Sequence, residues 1–197
     1  MRDRTRRTSP ASLYIGIISF CLSRFAAIIV NMGQRREARE RAVQYLFQHD
    51  LNPPENLEES LGHFWSSQRA TAIAGEKAGA TWGQKVDSPP PSAQELATRL
   101  FADKLICGVL EHRPALDQKI QEHAQNWDLA RMAVVDRNIL RLAIYEMLYR
   151  DDIPPVVSIN EAVDVAKKYS TQDSGKFVNG ILDKIKGELS RSTREAK

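Results

Sequence analysis

Residues 132–150 carry apolar side chains around most of a helical circumference: Val134, Val135, Ile139, Leu140, Leu142, Ala143, Ile144, Met147 and Leu148 leave no broad polar face. Such a helix has to be enclosed on nearly every side, so the rest of the chain must wrap it. The flanking sequence supplies helices to do so. Ala38, Ala42, Val43, Leu46 and Phe47 recur at helical intervals within 35–51, and Pro53-Pro54 stops that segment. A short helix from about Leu57 to Trp65 follows. Leu96, Ala97, Leu100, Phe101, Leu105, Val109 and Leu110 mark one from about Ala93 to His112, ending before Pro114, and Leu116, Ile120, Ala124 and Trp127 mark the next.

After Pro154-Pro155, Ser158-x-x-Glu161 has the form of a capping box, with Asn160 and Glu161 holding the helix start. The last helix is expected to begin near Asp173 or Ser174, either able to cap it, and to turn Phe177, Val178, Ile181, Leu182, Ile185 and Leu189 inward. Gly180 is expected to permit close helix packing. No segment has a β pattern. The fold class is therefore all-α, a compact bundle of about seven helices spanning residues 33–190, without an internal repeat.

Three segments stand outside that core. Ser66 to Ser92 is small, polar and Gly/Pro-containing, ends in Pro89-Pro90-Pro91, and reads as a flexible insertion; residues 191–197 read as a disordered tail. Residues 1–31 place Arg2, Arg4, Arg6 and Arg7 ahead of an apolar run from Leu13 to Val30, an order that imitates a signal peptide or an anchor. Arg24 within that run weakens the anchor reading, since a charge in mid-span costs a few kcal/mol. Met32-Gly33-Gln34-Arg35-Arg36 offers an alternative start, and residues 1–31 are read as a non-native or disordered extension.

That extension also distorts the charge. Its five arginines against Asp3 give +4, leaving 23 basic and 24 acidic residues, a net −1, for the remainder. A sequence pI of 8.9 is thus a poor argument for nucleic-acid binding, and any such affinity must come from local clustering. Cys21 and Cys107 make neither a disulfide framework nor a metal cage, so a reducing cytoplasm is the simplest compartment. His49, His63, His112 and His123 have no metal-ligand spacing with Cys107, and no Gly-rich phosphate loop or nucleophile elbow occurs. The expectation is a protein that is not an enzyme and has no cofactor.

Four blocks in register carry a resemblance: Arg35-Arg36-Glu37-Ala38-Arg39-Glu40-Arg41-Ala42-Val43-Gln44, the run from Val135 to Met147, Val157-Ser158-Ile159-Asn160-Glu161-Ala162, and Lys176-Phe177-Val178-Asn179-Gly180-Ile181-Leu182. Over about Gly33 to Leu189 the chain resembles the NusB family of transcription antitermination factors. The resemblance implies an RNA-binding adaptor that pairs with NusE, a small-subunit ribosomal protein, on boxA-type single-stranded RNA. With the RNA polymerase elongation complex it would promote processive transcription of ribosomal RNA operons.

Two patches are candidates for RNA. Arg35, Arg36 and Arg39 project onto the side of the Ala42, Val43 and Phe47 stripe, where guanidinium groups can pair with phosphates and stack on unpaired bases. In an arbitrary protein they would be a solvated mixed-charge helix start. Asp173, Lys176 and Phe177 match the family's D-S-x-K-F context at its RNA surface; the plain alternative is a cap, a solvated charge and a core ring. Phe47 and Asp136 match positions on the NusE-binding surface of the family. Arg141, in a mostly apolar helix, reads as a structural bridge to neighbouring helices. The rival functions are a homo-oligomeric RNA-binding regulator, with the RNA face buried between copies in a homodimer, and an accessory domain of an RNA-modifying system. No membrane partner is expected.

Overall fold

The computed structural model describes residues 32–76, 90–124 and 128–195. Residues 1–31 lie outside it, as do 77–89 of the expected insertion, and Trp127. The described residues form seven α-helices and no strand: α1 (Met32–Leu51), α2 (Leu57–Glu76), α3 (Ala93–Glu111), α4 (Arg113–His123), α5 (Val134–Tyr149), α6 (Pro155–Tyr169) and α7 (Gln172–Glu195), with a 3₁₀ turn at Leu129–Arg131. This is the all-α bundle expected from the sequence.

The apolar girth of α5 has the consequence it must. α5 packs against α1, α3, α4, α6 and α7. Ile139, Leu140, Leu142, Ala143 and Ile144 are each at most 4% exposed. Around it lie Ala38, Ala42 and Leu46 of α1, Leu105 and Ile106 of α3, Leu116 and Ile120 of α4, Val165 and Ala166 of α6, and Val178, Leu182 and Ile185 of α7. The axis of α5 is thus the axis of the core.

Helix ends depart from the sequence reading in four places. α2 continues through residues 66–76, which were expected to be loop, because Ala70, Ala72 and Ala74 are strong helix formers. Ser66 and Thr71 turn their hydroxyls onto the carbonyls of Gly62 and Ser67, so neither competes for the helix. α6 begins at Pro155, whose fixed φ suits the first helical position, so Ser158-x-x-Glu161 is no capping box; Ser158 is buried and Glu161 is bound elsewhere. A true box forms at Ser92 and Glu95, each side chain taking the other's backbone N–H.

α7 is capped by Thr171, whose hydroxyl accepts from the Ser174 N–H at 3.1 Å, and neither Asp173 nor Ser174 is the cap. The helix then runs to Glu195, so residues 191–195 are helical and not a disordered tail. Close packing belongs to another glycine than expected. A Cβ on Gly180 would meet open space, whereas one on Gly108 would overlap the Tyr145 ring, which brings α3 and α5 together.

Candidate RNA and partner interface

α1 carries acid–base chemistry at both ends, and the two ends are built differently. At its C-terminal end Asp50, with a side chain only 3% exposed, pairs with Arg113 of α4 and with Arg137 and Arg141 of α5, at 2.6 Å and 3.0 Å for the latter two. Arg141 also reaches Asp117 of α4 at 2.6 Å, so it is the interhelical bridge expected. Burial pushes the Asp50 carboxyl up, but hydrogen bonds from Arg137 and Arg141 and the charges of Arg141 and Arg113 outweigh it and hold it down to about 2.

The N-terminal end is open, and its three candidate arginines part company there. Arg36 is half-exposed, its Nε and Nη2 on the Glu161 carboxylate at 3.1 Å and 2.9 Å, with Asp164 3.0 Å from Nη2. The Glu161 hydrogen bond and charge raise its pKa further above the ordinary arginine value. Arg39 is turned inward instead. Only 4% of its side chain is exposed, and its Nε donates at 2.8 Å to the fully buried Glu146. Burial raises the Glu146 carboxyl, and the charge of Arg39 opposes that rise.

Arg35 lies with its guanidinium 5.6 Å from the centre of the Phe101 ring, and its buried Nε has no hydrogen-bond partner. Arg39 and Arg150 approach the same ring at 5.7 Å and 5.3 Å. Sequence reasoning missed Phe101 and Arg150 as members of this cluster. Arg150 follows the last residue of α5, and no periodicity marks it as a neighbour of Arg35.

From Arg36, a polar seam follows α1 along α6. Glu40 accepts from Lys168 at 2.7 Å and from the Tyr169 hydroxyl at 2.9 Å, and Gln44 donates to Tyr169 at 3.2 Å. One turn on, Phe47 is half-buried in a hollow of about 310 Å³ that Tyr169 and Val135 also line. A second hollow, about 240 Å³, opens beyond Val135 and is lined by Asp136, Thr171, Asp173, Ser174 and Phe177.

Asp136 is 7% exposed, and its Oδ1 has no hydrogen-bond partner. Asp173 and Lys176 stand almost fully in solvent and pair at 3.2 Å, while Phe177 packs one side against the core. Asp136, matched to protein binding, and Asp173 and Phe177, matched to RNA, thus share one hollow. The seam from Arg36 to Phe47 is about 17 Å along α1, at 1.5 Å per residue.

A helical bundle with charged side chains and half-buried rings ranged along an open seam defines a recognition module of the all-α class. The family model of the NusB family matches residues 36–186, and the chain belongs to that family. A transcription antitermination protein NusB from Geobacter sulfurreducens is 44% identical over 158 residues, covering 80% of this chain and 97% of the relative. NusB from T. maritima superposes with a TM-score of 0.56 at 36% identity, over 77% of this chain and 89% of that one. A crystal structure of antitermination factors NusB and NusE in complex with dsRNA matches with a TM-score of 0.55 at 28% identity, over 79% and 97% of the two chains.

Proposed function

We propose that the chain is an RNA-binding transcription antitermination factor that pairs with a NusE-type ribosomal protein on boxA-type RNA, in the cytoplasm, and so keeps RNA polymerase elongating through ribosomal RNA operons. The observation that carries this reading is the continuity of the seam: Arg36 and Phe47 of α1, Asp136 at the start of α5 and Phe177 at the start of α7, three segments far apart in sequence, follow one another along it. Family membership and the NusB–NusE–dsRNA complex among the structural relatives supply the partner classes.

In this reading Arg35 and Arg36 meet phosphates at the open end of α1. Phe177 offers a ring edge to a base, Lys176 a charge to the backbone, and Asp173 an acceptor for a base amino group. Phe47 and Asp136 receive the protein partner. Arg39 acts as a positioning residue, holding Glu146 and the start of α1 while its neighbours meet solvent. Two contacts on one platform raise each other's effective concentration, so neither needs to be tight alone.

The test is a titration of boxA-like single-stranded RNA onto the full chain, with and without NusE, beside a scrambled RNA and the variants Arg36→Ala and Phe177→Ala. Tighter binding with NusE, lost with the scramble and weakened in both variants, is the expected result. Equal binding to every RNA by every variant overturns the reading.

A further inference from the structure

A hollow of about 380 Å³ lies off the seam, between the start of α3, the middle of α2 and the Glu37–Arg41 turn of α1. Its volume is within the range of small-molecule sites. Three guanidiniums line it, Arg41, Arg69 and Arg99, against two carboxylates, Glu37 and Glu95. Both carboxylates are engaged. Glu95 accepts from the Ser92 backbone N–H at 2.6 Å in the capping box, and Glu37 pairs with Arg41 at 3.6 Å.

Arg41 is thus taken by Glu37, and Arg99 by Asp103 at 3.5 Å, whereas Arg69 meets only the more distant charge of Glu95, has no carboxylate within ion-pair distance among the described residues, and holds a buried Nε without a hydrogen-bond partner. Thr98, 5% exposed, likewise holds a hydroxyl without a partner at the hollow's edge. A buried donor and a buried hydroxyl left unmatched each cost stability, and a ligand supplying acceptors would recover it. The remaining wall is planar and apolar in part: Trp65, its indole N–H tied to Asp103 at 2.8 Å, with the Arg99 guanidinium 5.9 Å from its ring centre.

We infer that this hollow is a nucleoside-phosphate site. The phosphate is held by Arg69 and Arg99 with the Thr98 hydroxyl as a further donor, and the base lies against Trp65 and the guanidinium planes. The nucleoside phosphate has two conceivable sources, a free nucleotide or one residue of an RNA strand leaving the seam. Gln68 lines both this hollow and the Phe47 hollow, so a strand could pass from one to the other. The site rests on its own side chains and not on the proposed RNA contacts of Arg36.

The experiment is an NMR titration of the isotope-labelled full chain with adenosine monophosphate, inorganic phosphate and boxA-like RNA, following the Trp65 indole N–H, assigned with Trp65→Phe, and the Arg69 Nε–H. Adenosine monophosphate is expected to shift both signals, more tightly than phosphate. Arg69→Gln should weaken it about tenfold, the scale of one charge-assisted hydrogen bond.

Thr98→Val should weaken it as well while raising thermal stability in the absence of ligand, which separates lost binding from lost folding. If RNA produces the same shifts, and Arg69→Gln removes them, the strand is the source; if only the mononucleotide does, the free nucleotide is. Arg36→Ala should leave the mononucleotide response intact even if it abolishes RNA binding, so the two readings fail separately. No shift with adenosine monophosphate, equal shifts in Arg69→Gln, or binding no tighter than that of phosphate overturns the inference.

Discussion

The two ends of α1 use the same residue types for opposite purposes. At Asp50 one carboxylate is enclosed by three arginines and nearly removed from solvent, whereas at Arg36 one half-exposed arginine is shared by Glu161 and Asp164 at the surface. Partner number differs little between them. Burial decides what each can do: an enclosed pair is indispensable once made, because deleting one member strands the others in low dielectric, while an open pair can exchange its acid for another anion. On the function proposed, recognition falls at the end that costs least to open.

The largest expected effect is at the enclosed end. Asp50→Ala leaves three guanidiniums without their shared carboxylate and should cost about 3–5 kcal/mol in chemical denaturation. Arg39→Ala strands Glu146 and should lose about 3 kcal/mol in the same measurement, with any loss of RNA binding following the loss of folded protein. Arg36→Ala should change stability by less than about 1 kcal/mol. If the three variants proved equally stable, the contrast between the ends would be gone.

Acid sharpens the same contrast. Because the folded Asp50 carboxyl is held down to about 2, below its ordinary value, its stabilising contribution is full above that ordinary value and fades as pH falls through about 2. Acid unfolding of Asp50→Asn should therefore lack the part of the low-pH decline that the parent chain shows. Smaller again are the effects on RNA. Phe177→Ala should lose about 1–3 kcal/mol of RNA affinity if a base stacks there, and Arg36→Ala should reduce the salt slope of binding by about 0.7.

A last pair tests packing alone. Gly108→Ala should destabilise by about 1–3 kcal/mol through the clash with Tyr145, while Gly180→Ala, facing open space, should stabilise by up to about 1 kcal/mol.

The core was legible in the sequence because α5 is apolar on almost every side, and that one pattern dictates enclosure. Arg141 was readable as a bridge for the same reason, since a charge inside such a helix needs partners. Helix ends were less legible. Ser158-x-x-Glu161 has the spacing of a box, but Pro155 starts the helix a turn earlier and Glu161 is free to take Arg36.

Arg36 and Arg39 are three residues apart and project to one side, so periodicity could not tell that one lies half-exposed and the other against Glu146. That separation depends on a partner 107 residues away. The same holds for Arg150 beside Phe101, and for the meeting of Asp136 with Phe177, which no local pattern encodes.

The most direct test of the seam is an amide footprint of boxA-like RNA on the isotope-labelled full chain, taken with and without NusE. The account predicts shifts at Arg35 and Arg36 and at Asp173 to Phe177 with RNA, joined on adding NusE by shifts around Phe47 and Asp136. Shifts that leave both the start of α1 and the start of α7 untouched would contradict it.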